Sequence, residues 1–277
     1  RQLGTASGDQ AGSVGTDAQG NVYIAGDTFG GLNGASVGLA DAYLAKYDPR
    51  GDLLWIRQLG SAAGDVITGI AIDQAGHVYA TGQTDGDLGG TNAGPSDAFL
   101  AKYAANGDLL WTRQAGTAAF DSANAVAIGD EGTVVIGGLT NGDLGGANAG
   151  DYDAFLIGYD AEGNSLWTRQ FGTAADDVAN EVSAGGGNVY VTGYTGGNLG
   201  GSNEGGYDAF LAAYDSAGNR TWIDQMGSDA DDNARCVAAI DDGSVYIAGQ
   251  TRGGIDGTNA GAFDVFVAKF ADRPSDA

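Results

Sequence analysis

Carboxylates recur along this chain at fixed places, and oxygen-rich loops of that kind can hold a hard cation. One series is Asp9, Asp65, Asp121, Asp177 and Asp232, each five residues after a glycine. A second is Asp41, Asp97, Asp153, Asp208 and Asp264, each opening an apolar run. Between them lies the phrase Asp87-Leu88-Gly89-Gly90-Thr91-Asn92-Ala93-Gly94. It returns around Asn148, Asn203 and Asn259, and Ser36 replaces the Asn in the first copy. Calcium takes about six to eight oxygens from carboxylates, amides and main chain. Asp85, Asp87, Asn92 and Asp97 offer such atoms, as do Asp143 and Asp153 one copy later. The spacing is not that of an EF-hand, and the first two acids become Asn141 and Asp143, then Gly196 and Asn198. Asp also accepts backbone N–H bonds at turns and pins loops to strands. Repetition suits that structural role, so it leads and the metal follows.

A second chemistry is stacking. Tyr152, Tyr207 and Tyr194 stand in or beside the polar loops. An aromatic ring beside Asn92, Asn148, Asn203 or Asn259 could stack on a sugar while an amide bonds its hydroxyls. Packing is the plainer role for each ring. Catalysis has little to work with. His77 is the sole histidine and replaces Asn21, Thr133 or Asn188 of other copies. Cys236 is the sole cysteine and sits in the apolar run Cys236-Val237-Ala238. No catalytic residue is assigned.

The elements that would position these groups are short strands. In one copy Gly69–Asp73, His77–Gly82, Asp97–Tyr103 and Asp108–Gly116 are rich in bulky apolar residues. They are bounded by Gly, Asn and Asp, which predicts β-structure. No window keeps a helical period; Ala174–Val182 comes nearest. Phe99, Phe155, Phe210 and Phe266 alternate with small residues and are expected between packed sheets, with Trp111 and its equivalents nearer the rim.

The unit recurs. Trp55, Trp111, Trp167 and Trp222 mark it, and Arg57-Gln58-Leu59-Gly60 returns as Arg113-Gln114-Ala115-Gly116 and Arg169-Gln170-Phe171-Gly172. A copied supersecondary unit buries its faces against its neighbours. The expected fold is all-β, a five-bladed β-propeller of four-stranded antiparallel blades. The expected repeats are about 1–56, 57–112, 113–168, 169–223 and 224–277, in a single domain over 1–277. The last copy stops after its third strand, and Arg1-Gln2-Leu3-Gly4 supplies part of the missing phrase. The N-terminal residues are therefore expected to complete the last blade.

The chain has 12 Lys and Arg against 36 Asp and Glu, a formal net charge of −24. Such a surface repels phosphate backbones and anionic headgroups, so nucleic acid and membrane insertion are poor partners. Neutral glycans, basic protein patches and cations fit better. No apolar run reaches the ~18 residues of a membrane helix.

Three phrases carry a resemblance: Asn21-Val22-Tyr23-Ile24-Ala25-Gly26, Tyr152-Asp153-Ala154-Phe155-Leu156, and Asp160-Ala161-Glu162-Gly163-Asn164-Ser165-Leu166-Trp167-Thr168-Arg169-Gln170-Phe171-Gly172. Together they resemble the bacterial beta-propeller repeat known as SBBP. The resemblance implies a secreted or cell-surface bacterial protein, often one part of a larger chain, with no shared catalytic residues. The family name anticipates seven blades where this chain shows five.

The leading expectation is a non-catalytic extracellular propeller. It would present an acidic long-loop face to a glycan or protein partner, within a surface or filament assembly. A calcium-dependent hydrolase or lyase on the same face is the alternative, and a pure packing module is a third.

Overall fold

The computed structural model describes residues 1–240 and 243–271. Every regular element among them is a strand, nineteen in all. The first sheet is β1 (Asp9–Thr16), β2 (Val22–Thr28), β3 (Asp41–Tyr47) and β4 (Leu53–Leu59). The second is β5 (Asp65–Ile72), β6 (Val78–Thr84), β7 (Asp97–Tyr103) and β8 (Leu109–Ala115). The third is β9 (Asp121–Ile128), β10 (Val134–Thr140), β11 (Asp153–Tyr159) and β12 (Ser165–Phe171). The fourth is β13 (Asp177–Gly185), β14 (Asn188–Thr195), β15 (Asp208–Asp215) and β16 (Arg220–Met226). The fifth has three strands, β17 (Asp232–Ala239), β18 (Ser244–Thr251) and β19 (Asp264–Ala271). The chain divides into two compact units, Arg1–Val126 and Ala127–Ala277.

The strands form where the apolar runs predict them, with one extension. The first strand of the second sheet starts at Asp65 rather than near Gly69, because it pairs with β6 from Asp65↔Thr84 onward and takes a bulge between Ile67 and Gly69. An Asp-x-x-Gly turn joins β3 to β4: Asp48 Oδ1 accepts the N–H groups of Arg50 and Asp52, each at 2.9 Å. Gly51 follows at φ 83°, a left-handed conformation that glycine adopts without a Cβ clash. The third strands β3, β7 and β11 are buried along their whole length. In the first unit β5 packs on β1, β2 and β3, and in the second β13 packs on β10 and β11.

Apolar side chains from successive sheets meet there. In the first unit Tyr23, Leu44, Ile67, Phe99 and Tyr103 form one buried cluster, with Trp55 at its margin. In the second, Tyr190, Leu211, Ile247 and Phe266 form another, flanked by Trp222. Phe99, Phe155 and Phe210 are buried as expected.

The fifth sheet departs from expectation. Arg1–Gly4 form no strand, and β19 is an edge of its sheet among the described residues. Arg1 instead donates from Nε to the Gly51 carbonyl at 2.6 Å and pairs with Asp52 at 2.9 Å. Arg57 does the same to Gly107 at 2.7 Å, and Arg169 to Gly218 at 2.7 Å. The opening phrase thus sits on the first sheet as the tail of a fourth strand sits on the sheet that follows it.

Candidate functional site

In the four four-stranded sheets the long loop between the second and third strands is built on one glutamine. Gln114, on β8, donates from Nε2 to Gly86 O at 3.0 Å and to Asp97 Oδ2 at 2.9 Å. Its Oε1 accepts from Leu88 N at 3.0 Å and Gly89 N at 3.1 Å. Gln170 makes the same four bonds to Gly142, Asp153, Leu144 and Gly145. Gln225 makes them to Gly197, Asp208, Leu199 and Gly200. In the first sheet Gln58 reaches Gly30, Asp41, Leu32 and Asn33. The half-buried amide thereby uses both its N–H donors and its carbonyl oxygen. The next residue but one is glycine for a steric reason: a Cβ on Gly60, Gly116, Gly172 or Gly227 would collide with Oδ1 of the same Asp.

The other Asp series fixes the link into the next sheet. Asp65 Oδ2 accepts from Ser61 N at 2.6 Å and Ser61 Oγ at 2.9 Å, while Oδ1 accepts from Thr84 at 2.5 Å. Thr117–Asp121, Thr173–Asp177 and Ser228–Asp232 repeat the arrangement. Asp65 and Asp177 are wholly buried, and burial pushes both carboxyls upward against their hydrogen bonds, with Asp41 and Asp153 adding repulsion.

The loop residues named from sequence are placed as follows. Asn92 donates its backbone N–H to Asp87 Oδ1 at 2.8 Å and its amide to the carbonyls of Asp85 and Gly94. Asn148 bonds Asp143 Oδ1 in the same way and accepts from Gly150 N. Asn203 bonds Asn198 and accepts from Gly205 N. Asn259 accepts from Gly261 N at 2.8 Å. These four amides brace their own loops. Asp85, Asp87 and Asp143 are exposed, while Asp97 and Asp153 are buried behind the loop. Among the described residues no three His, Cys, Asp or Glu side chains gather as a metal would need.

The tyrosines are more telling. Tyr207 is 37% exposed. Its hydroxyl donates to Asp176 Oδ2 at 3.0 Å, and its ring meets Tyr194 edge-on at 4.9 Å between centroids. The Asp176 hydrogen bond, helped by burial, pushes the phenol up to about 12. Beside it, Asp231 accepts from Tyr207 N at 3.3 Å and pairs with Arg252 at 2.9 Å. The Arg252 guanidinium lies 4.5 Å from the centroid of Phe263, itself 49% exposed. Tyr152, Tyr207 and Phe263 each precede the Asp that opens a third strand, where the first two copies have Ala40 and Ser96. Asp176 and Asp231 replace the Gly8 and Gly64 of those copies. Sequence reading found the tyrosines but missed Asp176, Asp231, Arg252 and Phe263. Aligning the copies residue by residue at the Asp would have exposed them.

The expected non-catalytic residues lie apart. His77 Nδ1 is 2.8 Å from Asp73 Oδ2, a contact within the turn. Cys236 is exposed on β17.

The folded unit and its brace define a class: a repeat protein of antiparallel sheets, the four four-stranded ones each locked by the same Gln and Asp. Residues 1–33 and 54–89 match the SBBP family, described as a beta-propeller repeat. The chain is 30% identical over 200 residues to "Regulatory protein FlaEY" of Caulobacter vibrioides, covering 64% of this chain and 21% of that protein. It is 29% identical over 144 residues to "Uncharacterized WD repeat-containing protein L264" of Acanthamoeba polyphaga mimivirus, covering 46% of this chain and 10% of that one. The chain thus spans about a fifth of the first relative and a tenth of the second. The crystal structure of puromycin hydrolase has a similar fold, with a TM-score of 0.52, 15% identity, and coverage of 96% of this chain and 37% of that one.

Proposed function

We propose that this is a non-catalytic binding module whose ligand, a neutral glycan or a polar protein loop, docks on the aromatic and acidic loops of the second unit. The observation that carries the reading is the exposed Tyr207 ring, held by Asp176 and Tyr194 beside the Arg252–Phe263 pair. A ring fixed at both its edge and its hydroxyl loses little entropy when a sugar face or proline stacks on it. Asp231 and Arg252 offer the acceptor and donors that would orient the ligand. A relative called a regulatory protein agrees with binding rather than turnover.

The same proposal takes the sheets as blades of a β-propeller in a secreted or cell-surface bacterial protein, free of nucleic acid and membrane insertion. Five such sheets, rigid loops on one scaffold and a charge of −24 support it. A glycan array probed with the full chain tests the reading. Binding is expected, and Tyr207→Ala should weaken it at least ~tenfold while Tyr207→Phe keeps most of it. Binding unchanged in Tyr207→Ala would overturn the assignment of this site.

A further inference from the structure

Of the five loops between second and third strands, only the first, residues 29–40, has no acidic residue. The others hold Asp85 and Asp87, Asp143 and Asp151, Glu204, or Asp256. The first loop shows apolar side chains instead: Phe29 is 51% exposed, Val37 66% and Leu39 75%. These side chains are not loose. Phe29 N donates to Gly8 O at 2.9 Å, and Leu39 N to Ala63 O at 3.1 Å. Val37 N donates to Asp41 Oδ2 at 2.8 Å, and Asn33 Nδ2 to Ile56 O at 2.9 Å. The pinned backbone holds all three side chains outward, and a fixed apolar patch on an acidic surface marks a place for a partner.

Just before Phe29 on β2 stands a carboxylate that the fold does not use. Asp27 is only 8% exposed. It pairs with Ala42 and shares the sheet face of Tyr23 and Ala25, whose side chains pack with Ile67 and Phe99 of the second sheet. It therefore points into the loop end of that seam. Burial pushes its carboxyl above the usual range, its own backbone N–H works against that, and the Asp9 carboxylate adds to it. No other residue among those described donates to it or pairs with it. The residues that match it are Gln83, Leu139, Tyr194 and Gln250, all neutral. In the fourth sheet the Tyr207 ring meets Tyr194, whereas the first sheet has Ala40 in the place of Tyr207 and brings no ring to Asp27. A buried carboxylate without a partner carries a desolvation cost that the neutral residues avoid.

We infer that Asp27 and the first loop form a docking site for a protein segment that presents a basic side chain between apolar ones. The ammonium or guanidinium would meet Asp27, and its alkyl stem would lie along Phe29. The apolar neighbours would cover Val37 and Leu39. A chain of charge −24 favours a basic partner and repels a second copy of itself. A bare cation would gain from Asp27 but nothing from the apolar rim, and a neutral glycan would leave the carboxylate unanswered. Every residue of this site belongs to the first unit, so it and the Tyr207 site can fail separately.

The test is the peptide acetyl-Ser-Leu-Arg-Phe-Ser-amide, titrated into the full 277-residue chain and followed by amide NMR shifts. Saturable shifts are expected at Asp27, Phe29 and Leu39. Replacing Arg by citrulline, neutral and near-isosteric, should weaken binding at least ~tenfold, and Asp27→Asn in the chain should do the same. Leu39→Ser, at an exposed position, should weaken binding severalfold with the fold intact, and Tyr207→Ala should leave it unchanged. Asp27→Asn also removes an unpaired buried charge, so its Tm should be no lower than that of the parent. A lower Tm would show the carboxylate at work inside the fold and overturn the site. No saturable shift, equal binding of the citrulline peptide, or shifts at Asp87 and Asp143 as large as those at Asp27 would overturn it too.

Discussion

Glu181 breaks the repeat. It occupies a bulge position on β13 where the other copies have Ser13, Gly69, Ala125 and Cys236. Burial pushes its carboxyl up to about 7, and one backbone hydrogen bond from Val182 does not offset this. The folded chain therefore holds the proton more tightly than the unfolded chain does. The stability this gives is fully present below the ordinary value of 4.5 and is lost as pH rises through about 7. Glu181→Gln should flatten that part of the curve and raise stability at pH 8, by on the order of 2 kcal/mol. Urea melts of both proteins at pH 5 and pH 8 would measure it; parallel curves would refute the assignment. The opposite case is Asp17. Its burial is outweighed by hydrogen bonds from Asn21 and Tyr23 and by Lys46 at 3.3 Å, which hold it at about 2.

At the scale of the element, the Gln–Asp brace explains why the loops between second and third strands keep one shape while their sequence drifts. Removing the glutamine leaves a carbonyl, a carboxylate and two N–H groups short of partners in a half-buried site. Gln114→Ala should cost about 2–3 kcal/mol and speed amide exchange at Leu88 and Gly89. Gln114→Glu should cost more, because a second carboxylate would then face Asp97 Oδ2. Denaturant unfolding ranks the two, and the reverse order would refute the charge argument. Gly172→Ala is a third test: its Cβ would strike Asp153 Oδ1, and a loss of about 1–3 kcal/mol is expected from overpacking, read as a lower Tm. The strands themselves were legible from their apolar runs, and Asp97–Tyr103 was read to the residue. The brace was not, because Gln114 and Asp97 are 17 residues apart and nothing in their types announces a bond. The repeat recorded both residues without revealing that they meet.

For the whole molecule, charge and repetition act together. Excess carboxylates repel one another at low salt, so ionic strength alone should stabilise the chain. The buried Asp65 and Asp121 types are already engaged by Ser or Thr, and the exposed Asp87 and Asp143 hold loop N–H groups. Their oxygens are used within the chain, and a calcium ion would have to displace those bonds to gain its shell. The sequence left calcium and structure as rivals because a carboxylate that braces a loop and one that binds a cation have the same spacing. The melting temperature should therefore rise from about 10 to 150 mM NaCl as screening shortens the Debye length from about 30 to 8 Å. At fixed ionic strength it should not move when a chelator replaces calcium. Calorimetry with matched magnesium and calcium buffers separates the two effects. A rise specific to calcium, beyond that given by magnesium at equal ionic strength, would restore a metal to the loop face and make the Asp85–Asp97 loop the first place to look for it.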